Sequence, residues 1–302
     1  MARVRRIKVS GEGAYYHIMS RTVGNDFLLG SEEKEKLVEI VKKYSNFYFV
    51  KVIGYCVMSN HFHLLIRMDS SEKYKDEEII ERLKKFYRKE DRLWKYKLNY
   101  YRKRLEDISE YTKMIKQNFS WWYNRNNDRR GYFWSDRFKS VLIEKGESLL
   151  SCLAYIDLNP VRAGITDIPE NYRWSGFGYR IQSGNSDGYL SFDGIYEKKK
   201  KNLITIYKKY LYGEGIVEKK GKGKIDNHVY LWEYENKFKV PPMKHFRYRV
   251  RYFSEGMVLG SRTFIKTAYE KFENISILKK DRAVYNTGFS DNIFSIRKLK
   301  EI

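Results

Sequence analysis

The N-terminal part of the chain alternates between apolar runs and one amphipathic stretch. Ala14–Val23 and Phe47–Val57 are rich in aromatic and β-branched residues and predict two strands. Between them, Ser31 precedes two glutamates and a stripe of apolar residues at helical spacing, which predicts a helix that begins there. His61–Met68 predicts a third strand, and the short turn Met58–Asn60 makes it antiparallel to the second.

The middle of the chain is highly charged and has a helical pattern. Asp69–Asn127 predicts two helices with a break within residues 90–108, and the second helix covers Ser109–Tyr123. Arg137–Glu144 then predicts a fourth strand.

An amphipathic helix is predicted over Glu147–Leu158. Pro160 disfavours helical backbone angles at Asn159, so we expect this helix to end near that residue. The predicted order is β-α-β-β-α-β-α. This order favours an α+β fold, with a ferredoxin-like antiparallel sheet and helices packed on one face.

The amino-acid composition of the chain changes after about Gly178. Gly, Ser and Asn cluster at 184–188, and a lysine run follows at 198–201. We therefore predict one domain at 1–180, carrying a charged insertion at about 69–127, and a basic linker and accessory region at 181–302. Folded character returns at Val229–Trp232 and Phe246–Phe264. All residues that are candidates for a chemical role precede Gly178. A chain ending near residue 190 is therefore expected to keep the predicted activity.

The charge of the chain indicates a polyanionic partner. Lys and Arg number 60 against 38 Asp and Glu, a formal net charge of +22. Such a surplus attracts nucleic acid, and the 27 tyrosines offer faces on which unpaired bases stack. A basic protein without a dedicated ligand is the alternative that composition leaves open.

The two cysteines and the length of the apolar runs indicate the cellular compartment in which the protein is expected. Cys56 and Cys152 lie in apolar runs, which predicts buried thiols and excludes a disulfide scaffold. No apolar run approaches the roughly 18 residues that a membrane span needs, and no secretory signal is visible. We expect a cytoplasmic protein with no membrane partner.

His61-Phe62-His63 is the sharpest local signal. Residues two apart on a strand point to the same face, so the two imidazoles lie side by side. They form half of a site for a divalent metal, and imidazole suits Mn, Zn, Fe or Ni better than Mg. Two partly exposed polar residues on a strand are the alternative.

Tyr155 and Asn159 are four residues apart and therefore share one face at a helix end. In one interpretation Tyr155 is a nucleophile and Asn159 donates an oxygen to the metal. A phenol has a reference pKa near 10 and needs a nearby metal or base for this role. From spacing alone, a packed structural tyrosine is the favoured interpretation.

A third group surrounds the start of the fourth strand. Trp134 and Arg137 form either a stacking and phosphate-binding pair or packing at this strand. His17 and Arg21 share a face of the first strand and are expected to line the same surface as the histidine pair, although a structural histidine is the favoured alternative for His17.

Taken together, these segments resemble the REP-associated tyrosine transposases, a branch of the single-tyrosine transposases within the HUH nuclease superfamily. The matching segments occur in family order over roughly residues 10–180. They are YHIMSR (16–21), MSNHFHLLI (58–66), GYFWSDRFKS (131–140), YIDLNPVRAG (155–164) and YRWSG (172–176).

The resemblance implies a ferredoxin-like HUH core and a function. It implies that His61 and His63 hold Mg²⁺ or Mn²⁺, that Asn159 completes the metal site, and that Tyr155 is the nucleophile. The reaction would nick and rejoin single-stranded DNA through a 5′-phosphotyrosine, at hairpin or palindromic sites. The residues expected to contact DNA are Arg21, Trp134, Arg137 and Arg162, with His17 in a supporting role.

Several alternatives remain open at this point. One is a replication-initiator or relaxase-like nickase, although no helicase module or second catalytic tyrosine is evident. Another is a domesticated protein that grips hairpin DNA without cutting, although His61, His63 and Tyr155 are all present. A third is a basic RNA-binding protein. Both a monomer and a homodimer are compatible with the sequence.

Overall fold

The centre of the fold is a four-stranded antiparallel sheet. The computed structural model describes residues 6–9, 12–88, 93–196, 202–217, 221–235, 257–271, 284–286 and 293–296. Strands β1 (Ala14–Arg21), β2 (Val50–Val57), β3 (His61–Met68) and β4 (Lys139–Ile143) are arranged in the order β2-β3-β1-β4. This order is that of a ferredoxin-like sheet, and the predicted α+β class is confirmed.

The helices follow the predicted positions with a few shifts at their ends. Helix α1 begins at Ser31 as predicted and runs to Phe47. Strand β2 therefore begins at Val50 rather than at the predicted Phe47. The helices are α1 (Ser31–Phe47), α2 (Asp76–Tyr87), α3 (Leu93–Tyr96), α4 (Leu98–Leu105), α5 (Ile108–Asn126), α6 (Glu147–Asp157), α7 (Asn159–Arg162), α8 (Gly176–Ser183), α9 (Leu203–Gly215), α10 (Asn227–Glu235) and α11 (Arg262–Lys271).

The helices cover both faces of the sheet, which corrects the expectation that they pack on one face. Tyr16, Ile18 and Leu64 belong to a buried cluster with α1 and α5. On the opposite face, Tyr15 and Leu65 belong to a second cluster with α6 and α9. The reason is that nearly every residue of β1 and β3 is buried, so each face needs its own apolar cover.

One detail of the helical segments differs from expectation, since the predicted break at 90–108 contains the short helices α3 and α4. Helix α6 ends at Asp157, close to Asn159 as predicted. Pro160 then lies in the first turn of the short helix α7, where its missing N–H group is not needed.

Part of the region after residue 180 packs on the core. Tyr207 and Leu211 of α9 are fully buried in the cluster that contains α6. Strand β5 (Val258–Gly260) pairs parallel to β4, and the short strands β6 (Tyr285–Asn286) and β7 (Phe294–Ser295) extend the same sheet. Residues 246–256, for which folded character was predicted, lie outside the described residues. Core contacts therefore cross the predicted domain boundary.

The remaining expectations concern cysteines and membrane spans. Cys56 and Cys152 are free and buried, as predicted. Among the helices that the structure describes, none is long and apolar enough to cross a membrane.

Candidate active site

The register of β1 and β3 gathers three histidines on the sheet face that α6 covers. His61 pairs with Arg21, His63 with Met19, and His17 with Leu65. Paired residues in antiparallel strands point to the same face, so His17, His61 and His63 share a surface. The ring centroids of His61 and His63 are 4.9 Å apart, and those of His17 and His63 are 5.0 Å apart.

Each histidine of the predicted metal pair has one ring nitrogen already engaged. His63 Nδ1 lies 2.9 Å from His17 Nε2, and both side chains are buried. His61 Nδ1 lies 2.6 Å from the side-chain oxygen of Asn60, in the turn before β3. A partner at Nδ1 fixes the tautomer and orientation of an imidazole, which leaves Nε2 as the metal-binding atom.

Burial keeps these imidazoles neutral. Loss of solvent and the nearby Arg21 charge lower the pKa of His61 to about 4. Burial, with the neighbouring histidines as a smaller cause, lowers the pKa of His63 well below its usual value. A neutral imidazole has the free lone pair that a metal ion requires.

Tyr155 approaches this group from α6. Its ring centroid is 5.5 Å from that of His63 and 6.0 Å from that of His17, in both cases edge to face. Helix α6 lies close to the sheet because β2 has a glycine beneath it: a Cβ at Gly54 would be 2.2 Å from Leu153 Cδ1. The glycine therefore leaves room for the Leu153 side chain of α6, two residues before Tyr155.

Asn159 lies at the turn between α6 and α7. Its Nδ2 donates to the backbone carbonyls of Tyr155, at 2.9 Å, and Ile156, at 3.3 Å. These two bonds leave the amide oxygen as the atom available to a metal. Burial raises the pKa of the Tyr155 hydroxyl, while a hydrogen bond with Asn159 acts in the opposite direction.

The predicted DNA-binding residues divide into two groups. Arg21 and Arg137 are exposed, and they line one small cavity beside β1. Trp134 is 8% exposed and packs against Phe62 and Phe133. Its indole N–H donates to the Lys116 carbonyl, so its place is in the core rather than on a surface open to a base.

Arg162 is also used internally. Its guanidinium donates to the carbonyls of Glu214, at 2.7 Å, Val217, at 2.8 Å, and Gly223, at 3.0 Å. These bonds join α7 to the end of α9 and the segment after it. The arginine of the YIDLNPVRAG segment therefore connects α7 to the chain that follows it in the fold.

Sequence reasoning missed several residues that the structure places near the site. Asn60 was assigned only to a turn, although its position directly before the histidine motif was a usable signal. The partnership of His17 with His63 needed the strand register, which the sequence did not supply. Trp121 and Tyr132, which are 74% and 88% exposed, were given no role, although Tyr132 belongs to the segment GYFWSDRFKS (131–140).

The chemistry of the predicted donors is compatible with a divalent metal. His61 and His63 offer two neutral imidazoles from one strand face, and the amide oxygen of Asn159 is the third predicted donor. Among the described residues, no group of three or more His, Cys, Asp and Glu side chains is arranged to hold a metal ion. The predicted set has only two members of those residue types.

Comparison with known proteins identifies a related family over part of the chain. Residues 10–98 match the family model described as IS200-like transposase. This match confirms the resemblance for the segment that contains His17, His61 and His63, whereas Tyr155 lies outside it. No curated protein matches the sequence.

A solved structure has a similar arrangement at low identity. It is described as a REP-associated tyrosine transposase bound to a REP hairpin. The two proteins are 15% identical, the alignment covers 68% of this chain and 99% of the other, and the TM-score is 0.43.

Proposed function

We propose that the chain nicks and rejoins single-stranded DNA at hairpin or palindromic sites, by a metal-dependent transesterification in which Tyr155 is the nucleophile. The observation that carries the proposal is the convergence of Tyr155 with the histidine pair, with ring centroids of His63 and Tyr155 5.5 Å apart. A phenol and two neutral imidazoles from different elements bring a nucleophile and a metal-binding pair to one place.

The proposed reaction is a phosphoryl transfer from the 3′ oxygen of the DNA to the Tyr155 oxygen. The Tyr155 oxygen forms a bond to phosphorus, and the bond from phosphorus to the 3′ oxygen breaks. The phenol loses its proton, and the departing oxygen gains one and becomes a free 3′-OH. Because the phosphotyrosine keeps the energy of the broken bond, a 3′-OH can reverse the step and join strands without ATP.

His61, His63 and the amide oxygen of Asn159 would hold Mg²⁺ or Mn²⁺. Bound there, the ion would polarise the scissile phosphate and stabilise its developing negative charge. His17 would act as a positioning residue, since the 2.9 Å contact of its Nε2 with His63 Nδ1 would leave His63 Nε2 for the ion. Asn60 does the same for His61.

A covalent-adduct assay tests the proposal. Hairpin DNA with randomised single-stranded flanks and a 3′ label is incubated with the protein and Mn²⁺. A labelled protein band that survives denaturation is expected, with Tyr155 carrying the DNA in the mass spectrum of its peptide. EDTA should abolish the band, and fully paired duplex should give none.

Two results would contradict this function. One is a complete lack of adduct across the whole flank library at saturating protein. The other is an adduct on a different tyrosine, or one that forms equally well in EDTA.

The arrangement within one chain supports action on the same chain's metal site. Tyr155 lies beside His63 of its own fold, and a homodimer is not needed to complete the group. Mixing Tyr155→Phe protein with His61→Ala protein should therefore restore no adduct. Restored adduct in the mixture would instead show exchange of the nucleophile between protomers.

A further inference from the structure

A long groove lies outside the candidate active site. Its volume is about 1020 Å³, and it runs between α5 and the segment 131–138. We call it the α5 groove. Trp121 and Tyr132 lie on its walls with 74% and 88% of their side chains exposed. Large aromatic rings exposed to this degree in a groove are typical of a surface that binds a ligand.

The cations of the groove are crowded. Arg6, Lys113, Lys116 and Arg137 all line it. Burial and the neighbouring Arg6 lower the pKa of Lys116 to about 8. Burial and the neighbouring Arg137 likewise lower the pKa of Arg6 to about 10. This mutual repulsion would be relieved by a bound anion.

Two acidic residues also line the groove. Glu110 is already paired with Lys113 at 3.1 Å and with Arg104 at 3.6 Å. Asp136 contributes its backbone carbonyl to Lys116 at 2.6 Å. Four cations against two acids leave a positive balance, in keeping with the net charge of +22.

The α5 groove extends toward Arg21 at the end of β1. A neighbouring cavity of about 370 Å³ shares Ser135, Asp136 and Arg137 with it and reaches Arg21. Arg21 is the strand partner of His61. Because α5 and the histidines lie on opposite faces of the sheet, a strand in the α5 groove would reach the histidine pair by passing Arg137 and Arg21 at the end of β1.

We propose that the α5 groove binds an unpaired stretch of the DNA substrate, with bases stacked on Trp121 and Tyr132 and phosphates held by Lys113, Lys116 and Arg137. A duplex hides the faces of its bases, whereas an unpaired strand offers them to aromatic rings. The groove offers both exposed rings for bases and cations for phosphates. This inference deepens the proposed function and rests on it for the identity of the substrate.

The first test measures binding in the absence of cleavage. Fluorescence anisotropy with a labelled dT oligomer is performed in a Tyr155→Phe background. Trp121→Ala and Tyr132→Ala should each weaken binding about tenfold, the size expected for the loss of one stacked base. Trp121→Phe and Tyr132→Phe should keep most of the affinity. Tyr96→Ala is the matched control, since Tyr96 is 86% exposed and lies outside the groove.

The second test separates stacking from charge. Lys113→Gln and Arg137→Gln should each reduce the slope of log affinity against log salt by about 0.7, the value for one phosphate of a single strand. Lys103→Gln, an exposed lysine on α4, should leave the slope nearly unchanged. Melting curves of all variants establish that they remain folded.

The third test locates the strand. An oligomer with 5-iododeoxyuridine is photo-crosslinked, and peptides carrying Trp121 or Tyr132 should be labelled. Affinities of the ring variants equal to wild type, or equal losses on duplex and single strand, would overturn the proposal. So would stronger dependence on the two rings for an oligoribonucleotide than for DNA of the same sequence.

These outcomes can be told apart from failure of the proposed function. If no adduct forms but the ring variants still lose affinity for the dT oligomer, the groove remains a strand-binding site and the nuclease assignment fails. If the adduct forms on Tyr155 but the ring variants bind and crosslink as wild type does, only the groove assignment fails.

Discussion

The Tyr207 hydroxyl donates a 2.6 Å hydrogen bond to the buried carboxylate of Asp157. Asp157 is two residues after Tyr155 on α6, and its other oxygen accepts the Phe177 backbone N–H at 3.0 Å. Burial raises the pKa of Asp157 to about 6, against the effect of both donors. Helices α6, α8 and α9 thus meet at one carboxylate behind the candidate nucleophile.

Tyr207→Phe should therefore lower the free energy of unfolding. It removes one donor from a buried acceptor and leaves the ring packing in place, so a loss of about 1–3 kcal/mol is expected. Urea denaturation measures it. Tyr132→Phe is the control, because the Tyr132 side chain is 88% exposed. Equal stability of both variants would show that the bond to Asp157 contributes nothing net.

Tyr155→Phe should abolish covalent adduct formation and leave DNA binding nearly intact. Phenylalanine keeps the edge-to-face contacts with His17 and His63 but lacks the attacking oxygen. The melting temperature should change little, since the ring volume is conserved. An adduct formed by this variant at the wild-type rate would exclude Tyr155 as the nucleophile.

His17→Ala should weaken metal binding rather than eliminate it. The residue holds His63 through the 2.9 Å contact and is not itself a predicted ligand. Loss of such a partner costs about 10–100-fold in metal affinity. Titration with Mn²⁺, followed by isothermal calorimetry and adduct yield, should show rescue at high Mn²⁺. His63→Ala should not be rescued, and identical behaviour of the two variants would place His17 among the ligands.

Lys116 makes a pH-dependent contribution to stability. Its folded-state pKa of about 8 is below the usual 10.5, because burial and Arg6 disfavour the charge. Between those two values the unfolded chain binds more protons, so the contribution of Lys116 to the free energy of unfolding rises with pH across that window. Urea denaturation from pH 7 to 10 should show this rise, and Lys116→Gln should remove it. Lys113→Gln, one turn away and exposed, should not.

The sequence predicts the local part of the candidate site well. Alternation on β3 places His61 and His63 on one face, and the four-residue spacing on α6 and α7 brings Asn159 back to Tyr155. Both relationships follow from the period of one element. Whether the two elements meet is a tertiary matter, and only the family resemblance pointed to it.

The surroundings of Trp134 and Arg162, two predicted DNA contacts, depend on residues that are distant in the sequence. Trp134 looks like a stacking residue until Phe62 and Phe133 surround it. Arg162 looks like a phosphate ligand until three carbonyls from α9 and the segment after it accept hydrogen bonds from its guanidinium. No local pattern of these segments reveals which chain segment will cover them.

Helix α9 changes what is expected of a shortened chain. A chain ending at residue 196 lacks Tyr207 and Leu211, which are both fully buried against α6. It also lacks the carbonyls that accept hydrogen bonds from Arg162. Truncating one buried leucine to alanine alone costs about 2–5 kcal/mol. We therefore expect this chain to melt at a much lower temperature and to lose the Tyr155 adduct, contrary to the expectation from motifs alone.

The matched control is a chain ending at residue 235, which keeps α9 and α10 but lacks β5, β6 and β7. Circular dichroism, melting curves and adduct yield on both chains separate the two contributions. Adduct from the longer chain but not from the shorter would assign α9 to the support of Tyr155. A 196-residue chain that melts and reacts as the full chain does would instead place the boundary near residue 180, and the contacts of Tyr207 with α6 would be dispensable.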